Sequence, residues 1–189
     1  RTSHTGTWDW GRAGGRAVRP RRDLDLRPRM GTVGVAAGGQ PPRARSICVS
    51  HLLLYPPQGS RTAVVGVPDM GAVCTKTHVP GYIASLAALR AAGVDRVLVV
   101  APGDPTTVQA WAAKLGVSDD AGAGAAADSG DFARLLGVDA PPGSPVPAHR
   151  YSALIEDGIL LRLHVEEKPG EVTKSGAEAM VATATEFFG

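Results

Sequence analysis

From residue 46 onward the chain alternates short apolar runs with stretches of helical spacing. Residues 62–67 are apolar and β-branched, lie between Arg61 and Pro68, and predict a buried strand. Ile83, Leu86, Ala87 and Leu89 recur at helical spacing. They predict a helix that starts at Thr75 or Val79 and runs to Ala92, with Gly93 as its terminator. Residues 96–101 form a second buried strand, Pro102-Gly103-Asp104-Pro105 a turn, and residues 106–115 a second helix. Residues 118–130 are Ala, Gly, Asp and Ser and read as loop. A short helix over 131–136 ends at Gly137, and 140–148 is a Pro-rich loop. Residues 150–156 and 159–165 flank Asp157-Gly158, a strong hairpin signal. A last helix covers 177–187, while 47–54 is apolar but mixed.

That order is strand, helix, strand, helix, then a hairpin and a final helix. The first part predicts a parallel βαβ unit with a right-handed crossover. The hairpin adds antiparallel strands. The expected class is α/β, a thioredoxin-like fold with a central mixed sheet flanked by helices.

The 189 residues, 43% of them apolar, suffice for one domain with a real core. The longest apolar run, near 97–101, is far short of the roughly 20 residues that span a bilayer. Residues 1–45 differ from the rest. They hold 10 Arg against Asp9, Asp23 and Asp25, near +7, while 46–189 stands near −5. The first stretch is Gly-, Arg- and Pro-rich without apolar periodicity, and is expected to be a tail, with the domain over 46–189. An ordinary disordered extension, the remnant of an organelle transit segment and a nucleic-acid arm all remain open for it. The overall positive charge describes this stretch, so neither a nucleic acid nor a membrane is expected as partner of the folded part.

Two cysteines, Cys48 and Cys74, make no disulfide framework, which fits a reducing compartment and not secretion. Without a C-x-x-C pair or a close Cys/His cluster, no metal or cofactor is expected. Cys48 lies between Ile47 and Val49 and reads as packed or incidental. Cys74 falls between a buried strand and a helix. Free amides and the helix dipole favour an anion there, and a thiol so placed can become a thiolate near neutral pH. Inert burial is the alternative.

The motifs then become recognisable. Val65-Gly66-Val67-Pro68 followed by Cys74-Thr75-Lys76-Thr77-His78-Val79-Pro80-Gly81-Tyr82-Ile83 resembles the peroxidatic-cysteine segment of type II peroxiredoxins. Asp104-Pro105 with Ala110-Trp111-Ala112, Ala127-Asp128 with Asp131-Phe132 and Leu136-Gly137 are similar to later segments of that family. So are Arg150-Tyr151-Ser152-Ala153-Leu154 with Asp157-Gly158, and, more loosely, Ser175-Gly176-Ala177-Glu178. The ordered set covers about residues 46–185.

The resemblance implies an antioxidant thiol peroxidase that reduces hydrogen peroxide and alkyl hydroperoxides. Cys74 would be the nucleophile, regenerated by glutaredoxin with glutathione or by thioredoxin. Arg150 would favour its thiolate and hold the peroxide oxygens, as a guanidinium fork can. Pro68, Gly71, His78 and Trp111 would support the substrate site, His78 and Trp111 mainly by packing. A homodimer, in the cytoplasm or a plastid, is further implied.

The family pattern is Pro-x-x-x-Thr-x-x-Cys. Here Gly71 occupies the Thr position, and Pro68 stands one residue too close to Cys74. Val99 and Lys174 occupy the positions of the family's resolving cysteines, so an external thiol is expected to complete the cycle. The missing hydroxyl also motivates an alternative: a catalytically degenerate homologue that acts as a redox sensor or binding partner.

Overall fold

The computed structural model describes residues 24–25, 59–168 and 170–189. Cys48 and the apolar run 47–54 lie outside them. Among the described residues the strands form one six-stranded mixed sheet, in the order β1-β6-β5-β2-β3-β4. β2 (Arg61–Gly66) and β3 (Arg96–Pro102) are its parallel centre, as the βαβ pattern predicts. β5 (Tyr151–Glu156) and β6 (Ile159–Val165) form the hairpin, and β5 lies antiparallel against β2. Asp157 at φ 50 and Gly158 at φ 77 make the turn, the left-handed pair that a two-residue hairpin needs. β1 (Leu24–Asp25), two residues of the expected tail, pairs antiparallel with β6 at the sheet edge.

The two faces of β2 explain its β-branched run. Ala63 and Val65 join one apolar cluster and Val64 the other, because successive side chains alternate across a sheet. The first cluster is closed by α1 (Val79–Ala84), α2 (Leu86–Ala91), α3 (Pro105–Lys114) and α5 (Ala177–Phe188), through Tyr82, Leu89, Val108 and Met180. The second is covered by α4 (Asp131–Leu136), through Phe132 and Leu136. The expectation of a thioredoxin-like mixed sheet with helices on both sides holds.

Two details differ from the sequence reading. The single helix expected up to Ala92 is a π-helical turn (Cys74–His78) followed by α1 and α2, parted at Ser85 (φ −97, ψ 6). Residues 118–130, expected as loop, contain β4 (Ala123–Asp128), parallel to β3 from Val97↔Ala123 to Pro102↔Asp128. Its Ala and Gly residues lack strand propensity, so only pairing with β3 and burial of Ala123, Ala125 and Ala126 hold it extended. Gln109 Nε2 of α3 donates to the Ala125 carbonyl at 2.6 Å.

Candidate active site

β2 delivers the chain at Val67, whose amide donates to the Val100 carbonyl at 2.9 Å, and buried Pro68 follows. The helix opens at once: the Thr75 amide donates to the Gly71 carbonyl at 2.9 Å. Cys74 therefore stands in the first turn, where backbone amides lack helical acceptors. Its side chain has no exposed surface. Asp69, Gly71 and Ala72, just before it, are exposed.

Arg150 comes to the same point from far along the chain. β5 runs antiparallel to β2 with Tyr151 opposite Gly66, so the residue before β5 lies beside the end of β2. Buried Arg150 donates from Nη1 to Cys74 Sγ at 3.0 Å and approaches His78 Nδ1 at 3.4 Å. A guanidinium has no acceptor, so His78 Nδ1 carries the lone pair and Nε2 the proton. That proton points to the Ser175 carbonyl at 3.0 Å and the Ser175 hydroxyl at 3.3 Å. Burial, ahead of its other influences, brings His78 from 6.5 down to about 4, so it is neutral near pH 7.

Behind His78 lies a buried carboxylate. Glu166 Oε1 accepts from the Ser175 amide at 2.7 Å, the Ser175 hydroxyl at 2.9 Å and the Thr173 amide at 2.7 Å. Burial alone raises the Glu166 carboxyl, but these donors outweigh it and hold it below its usual value. The Tyr82 hydroxyl donates to the Ser175 carbonyl at 2.8 Å. On the other side, Trp111 Nε1 donates to Thr75 Oγ1 at 3.0 Å, and that hydroxyl donates to the Met70 carbonyl at 3.0 Å. Trp111 thus ties α3 to the helix start.

The sulfur also meets an anion. Asp69 Oδ1 lies 3.4 Å from Cys74 Sγ, within reach of the thiol proton. Burial raises the Cys74 pKa most, Arg150 lowers it by hydrogen bond and charge, and Asp69 raises it again, leaving a net upward direction. The set is a thiol between a guanidinium and a carboxylate; among the described residues no group of three or more His, Cys, Asp or Glu could hold an ion.

The redoxin family profile matches residues 57–181. The chain belongs to the redoxin family. Within it the chain is of the type II peroxiredoxin kind. It is 32% identical over 128 residues to mitochondrial Peroxiredoxin-2F of Arabidopsis thaliana, covering 66% of this chain and 63% of the relative. It is 33% identical over 129 residues to chloroplastic Peroxiredoxin-2E of the same plant, covering 65% and 54%. The chain thus spans between about half and two thirds of the length of these relatives. Reduced Prx3 of Vibrio vulnificus, solved in complex with H2O2, superposes at a TM-score of 0.60 with 26% identity, covering 69% of this chain and 81% of that one.

Of the residues singled out in the sequence, Cys74, Arg150 and His78 meet directly, and Trp111 joins through Thr75. Pro68 and Gly71 lie in the turn beside them. The sequence reading missed Asp69, Glu166, Ser175 and Tyr82. Asp69 had a local signal: an Asp three residues before Ala72, the first helical residue, whose Oδ1 accepts from the Gly71 amide at 2.8 Å. Tyr82 and Ser175 lie within segments that resemble the family's, and nothing local marks Glu166, a polar residue in a loop.

Proposed function

We propose that this chain is a one-cysteine thiol peroxidase that reduces hydrogen peroxide and alkyl hydroperoxides through Cys74. The observation that carries the reading is the 3.0 Å contact from Arg150 Nη1 to Cys74 Sγ, both side chains being buried. A hydrogen bond from a charged donor stabilises a thiolate more than a thiol. The thiolate attacks one peroxide oxygen; the S–O bond forms as the O–O bond breaks. Cys74 becomes a sulfenic acid, and the peroxide leaves as water or alcohol after gaining a proton. Arg150, held by His78 and the strand, faces the charge as it moves from sulfur to the leaving oxygen.

Reduction requires a second thiol. Val99 is buried in β3 and Lys174 bears an ammonium, so neither family resolving position can supply one. The donor is glutaredoxin with glutathione, or thioredoxin. Relatives named mitochondrial, chloroplastic and peroxisomal leave the compartment broad. A cytoplasmic or plastid location and a homodimer complete the proposal, with residues 46–189 as the catalytic unit.

A second reading, a degenerate homologue that senses redox state or binds a partner, is favoured by Gly71 in place of the hydroxyl and by the raised Cys74 pKa. Mass spectrometry separates them. Under the peroxidase reading, one equivalent of peroxide at pH 8.5 places one oxygen on Cys74, trapped by a sulfenic-acid reagent, and added thiol donor removes it so that consumption continues. A Cys74 that stays unmodified, or that is oxidised once and does not turn over with a thiol donor, would favour the second reading.

A further inference from the structure

Asp69 has no part in the mechanism above, yet it touches the reacting atom. Its Oδ1 accepts from the Gly71 amide at 2.8 Å and from the Cys74 thiol at 3.4 Å. Arg150 meets the same sulfur from the opposite strand at 3.0 Å. Among the described residues His78, which is neutral, also meets that guanidinium, and Glu166 stands beyond it across Ser175. The sulfur is therefore set between one cation and one anion.

Gly71 is what lets the anion in. Its φ lies outside the left-handed region, so the backbone does not require glycine there. A Cβ on Gly71 would lie 2.9 Å from Asp69 Oδ1 and 3.3 Å from its Cγ, so a side chain there pushes the end of the exposed Asp69 side chain aside and loosens its contact with the thiol.

We infer that Asp69, admitted by Gly71, is a positioning residue that holds Cys74 as the protonated thiol and sets the pH range in which it reacts. Arg150 and Asp69 act in opposite senses on one proton. The thiol is then slow at neutral pH and gains reactivity as the pH rises. The kinetic consequence rests on the peroxidase reading; the effect on the proton does not.

The test uses the full chain carrying Cys48→Ser, with thiolate ultraviolet absorbance followed against pH and corrected by the Cys74→Ser variant. Asp69→Asn keeps an oxygen for the Gly71 amide and removes the charge. Its thiol midpoint should fall by roughly one unit, and peroxide consumption at pH 7 should rise roughly two- to fourfold, the larger thiolate fraction being partly offset by lower nucleophilicity. Gly71→Ala should lower the midpoint too, and the double variant should go no lower than Asp69→Asn alone. A midpoint unchanged or raised in Asp69→Asn overturns the inference. Fully additive shifts overturn the role given to Gly71. If no variant consumes peroxide while the midpoints move as stated, the peroxidase reading fails and the inference stands.

Discussion

Arg150 and His78 divide the work of presenting one charge. Arg150 contributes the cation; His78 orients it by offering Nδ1 as acceptor and is itself pinned by Ser175. Arg150→Gln removes a charged hydrogen bond worth about 1.5 to 3 kcal/mol. Peroxide consumption should fall roughly ten- to hundredfold, and the thiolate absorbance should appear at higher pH. Unchanged values would remove Arg150 from the chemistry. His78 makes a second prediction, on stability. Its folded pKa is depressed from 6.5 to about 4, so folding favours the neutral ring. That stability is present above the unfolded value and is lost as the pH falls from 6.5 through about 4. Urea unfolding should show wild type losing stability from pH 7 to 5, by up to about 2 kcal/mol. His78→Gln, weaker at pH 7, should lose much less over the same range. Parallel losses in both would contradict the assignment.

Among the elements, the β2–β5 pair does most to build the site, because its register places Arg150 beside the end of β2. Its tightest point is Gly66, where a Cβ would lie 2.0 Å from the Tyr151 ring. Gly66→Ala must push that ring out of the second apolar cluster. The expected loss is about 2 to 3 kcal/mol in urea unfolding, with a drop in activity as the start of β5 shifts; a stable, fully active variant would contradict this packing. The β2 and β3 runs were legible because buried parallel strands are written in β-branched residues. The hairpin was legible because Asp157-Gly158 names its own turn. β4 was not: its Ala-Gly composition carries no strand signal, and its conformation comes from a neighbour about 25 residues earlier. The break at Ser85 was equally hidden, since apolar spacing continues across it.

Across the whole molecule, the site joins residues that the chain keeps far apart. Cys74 and Arg150 are separated by 76 positions and His78 and Ser175 by 97. No local pattern reports such meetings. Cys74 was singled out by its strand-to-helix junction, whereas Arg150 was singled out only through the family's motif order. Glu166 and Ser175 escaped, because a buried polar network in a loop leaves no periodic trace. Asp69 escaped because an exposed loop carboxylate carries no sequence sign of the thiol it meets. Charge is also unevenly spread: residues 1–45 stand near +7 and residues 46–189 near −5. The central claim is that Cys74 reacts with peroxide. Its most direct test follows the decay of hydrogen peroxide with reduced protein, wild type beside Cys74→Ser, with glutathione and glutaredoxin or thioredoxin as donor. The account predicts consumption that continues past one equivalent in wild type, quickens from pH 7 to 8.5, and vanishes in Cys74→Ser. Equal, slow decay in both proteins would contradict it.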